Sequence, residues 1–181
     1  MIRDPEQLRA LVDSVDRFVR DRLLPAEPIV EETDDIPADI IQDMRELGLF
    51  GLSVPEEYGG LGLTTEEEAH VIIALSWASP AYRSLIGTTV GIGSQGIVID
   101  GTPEQKSHFL PQLASGEKIA SFCLTEPDSG SDAGSLRTRA ARDGDHYVVN
   151  GTKRFITNAP HAGLFTLMAR TDPNEKGAAG V

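Results

Sequence analysis

The sequence predicts an α+β chain in two parts: a helical domain over residues 1–118, then the start of an antiparallel β domain over residues 119–181. Three observations carry this expectation. Apolar residues recur at helical spacing through the first part. Cap signatures punctuate it: Asp4-Pro5-Glu6-Gln7 and Thr102-Pro103-Glu104-Gln105 each offer a capping side chain, a proline at the first helical position and a Gln three residues after the cap. Beyond Ile119 short β-like runs take over, separated by Asp143-Gly144 and Asn150-Gly151, dipeptides that favour hairpin turns.

The first helix carries Leu8, Leu11, Val12, Val15, Val19 and Leu23 and is expected to stop at Pro25. A second opens at Pro37 with Ile40, Ile41, Met44 and Leu47 on one face, and Gly48 stands where a C-terminal glycine belongs. Thr64 and Thr65, each with a Glu three residues on, start a third, whose expected apolar face is Ala69, Ile72, Ile73 and Trp77 and which Pro80 closes. A glycine-rich fourth stretch runs from Ala81 to about Ile99, and a fifth helix ends at Gly116. Strands are expected at 120–125, 135–141, 146–149, 152–157 and 164–170. The turn-rich tail reads as a loop toward another strand, so the chain is expected to end in mid-domain.

Composition narrows the function classes. Asp and Glu number 28 against 16 Lys and Arg, a net charge of −12. That balance argues against a nucleic-acid partner, whose phosphates need a basic face, and against docking on an anionic membrane. No apolar run approaches the ~20 residues of a spanning helix, and the acidic, amphipathic N-terminus does not read as a signal peptide. A single cysteine, Cys123, forms no internal disulfide and fits a reducing, cytoplasmic compartment.

Gly91-Ile92-Gly93-Ser94-Gln95-Gly96 spells a dinucleotide fingerprint, but that mechanism needs a strand before it and a full helix after it. Asp100-Gly101-Thr102-Pro103 interrupts too soon, so the glycines, Gly87 and Gly91 among them, read as close-packing positions against a neighbouring helix. His70, His108, His146 and His161 lack metal-ligand spacing, and Cys123 reads as a buried strand position, so no metal site is expected. Glu66-Glu67-Glu68 reads as complementing a helix dipole, and Glu31 and Glu32 as linker. Thr125 through Asp132 is more informative: a strand delivers a hydroxyl, Pro127 breaks pairing, and small polar residues turn the chain. Such a turn is either a plain hairpin loop or a cradle whose amides and Ser129 and Ser131 hydroxyls meet a heterocycle edge or a phosphate.

Phe122-Cys123-Leu124-Thr125-Glu126-Pro127 through Gly130-Ser131-Asp132 resembles the signature of the acyl-CoA dehydrogenase family. Asn150-Gly151-Thr152-Lys153-Arg154-Phe155-Ile156-Thr157-Asn158 resembles a second family segment at the family's spacing. Gly101 to Lys106 with Leu110-Pro111 and Ser115-Gly116-Glu117 resembles the last helix before the β domain, and Val54 to Gly60 with Gly62 resembles a connection between early helices. The likeness covers essentially the whole chain in order.

The resemblance implies a multidomain FAD flavoprotein of fatty acid metabolism, with the flavin between the β domain and the helices. Phe122, Cys123, Leu124, Thr125, Gly130, Ser131, Phe155, Ile156 and Thr157 match positions of the flavin wall. Thr125 would hydrogen-bond the pyrimidine edge, Thr157 would reach the N5 side, and Ser131 would also touch the acyl-CoA. Implied partners are the acyl-CoA substrate, an electron-transfer flavoprotein as electron acceptor, and further copies of the chain in a dimer or tetramer. Many members carry tryptophan where this chain has Phe155, and Asp128-Ser129 replaces the usual Gly-Ala. In the family the catalytic glutamate comes from a C-terminal helical bundle absent from these 181 residues, so no catalytic residue is assigned. Related folds host flavin monooxygenases, and a truncated, non-catalytic relative that binds acyl-CoA or a partner is the third reading.

Overall fold

Asp4 opens the first helix, α1 (Pro5–Phe18), by accepting the Glu6 and Gln7 amides at 3.0 Å each, and Leu8, Val15 and Phe18 turn into the core. The computed structural model describes residues 2–175 and 177–181. Pro25 does not stop the helix. Residues Val19–Leu23 widen into a π-helical turn in which the Leu24 amide reaches back to the Val19 carbonyl, and α2 (Leu24–Thr33) continues with Pro25 in its first turn. The widened turn shifts the carbonyls out of the register in which a proline would clash and lack a donor. Asp34, in the left-handed region at φ 54°, ends the run.

Helix α3 (Ala38–Glu46) buries Ile40 and Met44 and closes at Gly48, whose φ of 71° suits glycine. Helix α4 (Thr65–Leu75) has the expected cap but a different buried face. Thr64 and Glu67 form a reciprocal capping box, and Glu67 also takes the Arg3 amide at 2.7 Å. With Glu67 fixed inward, helical periodicity carries Val71, Ala74 and Leu75 inward after it. Most of the expected face is therefore outside: Ala69 is exposed, Ile73 is 63% and Trp77 78% exposed, and only Ile72 of that set, half-buried, packs against the core. The helix ends at Leu75, and Pro80 instead begins α5 (Pro80–Gly87), capped by Ser79.

A second π-helical turn, Thr88–Gly93, leads directly into α6 (Gln95–Asp100). Helix on both sides leaves no βα unit at the glycine motif. The close approach is made by Gly93, not Gly91, and to a strand rather than a helix: a Cβ on Gly93 would lie 2.4 Å from the Ala120 methyl and 2.5 Å from the Thr88 carbonyl, whereas one on Gly91 would meet nothing within 4 Å. Gly93→Ala should therefore cost about 1–3 kcal/mol by overpacking, and Gly91→Ala should be neutral or stabilise by about 0.4–1 kcal/mol. Urea melts of the two variants check this; equal midpoints would contradict it.

Helix α7 (Pro103–Ala114), with a Thr102–Gln105 capping box, ends at Gly116 and delivers the chain to β1 (Ile119–Cys123). The main core joins Leu23, Met44, Phe50, Leu75, Tyr82 and Ile86, where the Tyr82 hydroxyl donates to the Leu23 carbonyl at 3.1 Å. A smaller cluster of Val54, Leu110, Leu113 and Ala114 packs on Ala120.

Strands β2 (Arg139–Asp143) and β3 (His146–Asn150) form the expected antiparallel hairpin, with Gly144 in its turn at φ 60°. β4 (Ala162–Leu167) pairs with β1 in parallel, so among the strands of the described residues antiparallel pairing holds for the hairpin alone. Residues 135–138 precede β2 in a 3₁₀ turn and an irregular link. The run 152–157 is not a strand. Left-handed backbone at Phe155 (φ 58°) and Asn158 (φ 62°) breaks any ladder, and Asn150-Gly151 makes no hairpin because Gly151 lies against Thr138, whose Oγ1 would be 2.3 Å from an added Cβ.

Candidate functional site

β1 enters the core on Ala120, Ser121 and Cys123, with Phe122 half-buried. The π turn before it is its seat: Thr89 Oγ1 accepts the Ala120 amide at 3.0 Å, and the Gly93 carbonyl accepts the Thr166 hydroxyl at 3.0 Å. Beyond Cys123 the strand ladder ends, and the chain is joined to residues 153–158 by other bonds. The Arg154 amide donates to the Thr125 carbonyl at 2.8 Å. Lys153 Nζ donates to the Leu124 carbonyl at 2.9 Å and to Glu126 Oε1 at 2.8 Å. Ser121 Oγ donates to the Thr157 carbonyl at 2.7 Å. Asn158 Nδ2 lies 2.7 Å from Thr88 Oγ1, with the Ser84 and Leu85 carbonyls at 3.0 and 3.1 Å, pegging the segment to α5.

The Glu126–Lys153 pair is buried, with the two side chains 6% and 10% exposed. Glu126 also accepts the Arg137 amide at 2.6 Å and the Thr138 amide at 2.8 Å. Burial pushes its carboxyl up, but the bonds from Lys153 and from these two amides prevail and hold it at about 2. Burial raises the Cys123 thiol, which fits an inert strand position.

Thr125, Phe155, Ile156 and Thr157 are thus brought together, with Leu124 half-buried beside them. Phe155 is 78% exposed, and the Arg154 guanidinium lies 4.6 Å from its ring centroid. Gly130 and Ser131 are exposed on the preceding turn, and no hydrogen bond among the described residues joins them to 153–158. The two serines of that turn do not share a cavity. Ser129 is buried and donates to the Asp132 carbonyl at 2.8 Å, closing the turn, while Ser131 faces solvent. Glu126, Lys153 and Asn158 escaped a reading by spacing because the Glu126–Lys153 pair spans 27 residues and the bonds of Asn158 to α5 span up to 74.

The surface at Phe155 is open. A cleft of about 470 Å³ between α2, α3 and α5 has Asn158 and His161 on its rim, but Phe155, Ile156 and Thr157 do not line it. An aromatic ring held out on left-handed backbone, next in sequence to the Arg154 amide that bonds the half-buried Thr125, suits one face of a planar heterocycle. Among the described residues no three His, Cys, Asp or Glu side chains group to hold a metal, and no helix is long and apolar enough to cross a membrane.

Helices followed by a β unit, with an open wall at their junction, agree with what comparison with known proteins finds. The chain belongs to the acyl-CoA dehydrogenases: residues 5–117 match the family's N-terminal domain and residues 121–181 its middle domain. It is 40% identical over 158 residues to an acyl-CoA dehydrogenase of Bacillus subtilis, covering 87% of this chain and 42% of the relative. The structure of a probable acyl-CoA dehydrogenase from Mycobacterium abscessus superimposes with a TM-score of 0.88 at 35% identity, over 98% of this chain and 47% of that one. An acyl-CoA dehydrogenase complexed with FAD from Bacillus anthracis gives 0.85 at 37% identity, over 96% and 30%. The chain therefore spans less than half the length of each of these relatives.

Proposed function

We propose that these residues are the N-terminal and middle portion of an FAD-dependent acyl-CoA dehydrogenase acting on the α,β-bond of an acyl-CoA thioester. The observation that carries this reading is the wall itself: Thr125 and Phe155 are joined through the Arg154 amide at 2.8 Å, and Thr157 is fixed by Ser121 at 2.7 Å. When bound, FAD supplies the hydride acceptor. Phe155 offers its ring for stacking, and Phe122, Cys123, Leu124, Gly130 and Ile156 complete the apolar and backbone wall. The Thr125 hydroxyl serves the pyrimidine edge, and Thr157 supplies a donor on the N5 side, where it stabilises developing negative charge. Ser131, exposed at the turn, is free to meet both the cofactor and the acyl-CoA. Electrons leave to an electron-transfer flavoprotein, and the working form is a homodimer or homotetramer. The lone, buried Cys123 supports a cytoplasmic location.

The test is colour. In the longest natural reading frame containing these residues, Phe155→Asp should weaken FAD binding tenfold or more, since about 1.4 kcal/mol of lost stacking already gives a factor of ten. Full flavin occupancy in that variant would overturn the placement. Flavin retained across short and long acyl-CoAs without reduction of an acceptor would favour a monooxygenase or a non-catalytic relative.

A further inference from the structure

We infer that the buried Glu126–Lys153 pair is a positioning device, which holds the Phe155 backbone in register against Thr125. The inference deepens the proposed function, because the surface it holds is the one assigned to the flavin. Three features carry it. Residues 151–157 have no strand ladder, so nothing periodic fixes them. Lys153 grips the Leu124 carbonyl and Glu126 Oε1 from one point, while the next residue, Arg154, bonds the Thr125 carbonyl. Phe155 then takes φ 58°, a conformation that a bulky side chain keeps only when its surroundings impose it.

The restraints are placed on both sides of that residue. Lys153 and Arg154 bind before it, and the Asn158 amide, itself at φ 62°, binds α5 and the π turn after it. Glu126 in turn is held by the Arg137 and Thr138 amides, so the ammonium is aimed by the approach to β2. A pair serving only stability would loosen the whole molecule evenly when broken. A positioning pair loosens the 153–157 segment first.

Amide hydrogen exchange on the 181-residue chain separates the two. In Glu126→Gln, and in Lys153→Met where it folds, the Arg154 amide should exchange tenfold or more faster, by an opening insensitive to low urea. The Ala120 and Leu113 amides should continue to track global unfolding. Arg154 changing only in step with those core amides, or not at all, would overturn the inference. In the longest natural frame, Glu126→Gln should also shift the bound-flavin absorption bands. Arg154 loosening with unchanged flavin bands and affinity would leave the positioning role standing and overturn the flavin placement.

Discussion

Supplied alone, the 181 residues are expected to turn over no acyl-CoA and to hold FAD only weakly. The proposed reaction needs a carboxylate poised to accept the α-proton, and the acids near the wall are engaged elsewhere. Glu126 is buried against Lys153, and a carboxyl held at about 2 is a poor proton acceptor at neutral pH. Asp128 pairs with Arg137 at 3.2 Å, and Asp132 accepts from the Ser135 hydroxyl. Lacking a positioned base removes ~10²–10⁴ of rate on that account alone. Phe155, mostly exposed, offers stacking on an open surface, where binding must still offset several kcal/mol of lost translational and rotational freedom. The assay is acyl-CoA-dependent bleaching of an artificial electron acceptor, run on this chain and on the longest natural frame that contains it. Equal turnover by the two would show that a base lies within these residues.

Breaking the Glu126–Lys153 pair is expected to produce the largest loss of stability of any single polar change. Lys153→Met leaves a buried carboxylate without its counter-charge, a change that costs about 3–5 kcal/mol and lowers Tm by roughly 6–20 °C for a chain of this size. The pair also predicts acid lability of a definite sign. Glu126 is held at about 2 against an ordinary value of 4.5, so it binds its proton more readily unfolded than folded. Its contribution is therefore fully present above about pH 4.5 and is lost as the pH falls toward 2. Glu67, lowered to about 2 chiefly by the Arg3 and Thr64 amides, adds to the same window. Thermal melts at pH 7, 4 and 3 should show a steep decline between the last two. A Lys153→Met variant as stable as the wild type at pH 7 would remove the basis of both expectations.

Much of the helical part was legible because its signals are local. Caps at Asp4, Thr64 and Thr102 and stops at Gly48 and Gly116 act within a few residues, and each stands where the sequence places it. The structure departs from the local signals where a distant partner decides the outcome. Arg3 draws Glu67 inward and rotates α4, so Ile73 and Trp77 face outward. The widened turn at Val19–Leu23 rescues Pro25, which no residue type announces. The site shows the same division. Thr125 at a strand end and the turn after it were visible as pattern, and the resemblance brought in Phe155 and Thr157. Ser129 turns inward through a bond to Asp132 within the same turn, a choice between two serines that spacing does not distinguish, whereas the work of Glu126, Lys153 and Asn158 depends on segments that meet only in the folded chain.

The parallel pairing of β1 with β4 has a consequence for the order of synthesis. β1 ends at Cys123, and its partner does not begin until Ala162. As the chain leaves the ribosome, the helical layer can close around Tyr82 and Ile86 while β1, seated on Thr89 by one side-chain bond, keeps its outer edge unsatisfied. The β2–β3 hairpin emerges meanwhile and can zip locally, without waiting for that edge. A pause in translation between these points would expose a bare strand, and sequence changes that delay β4 should be felt as poor yield before any effect on the finished fold.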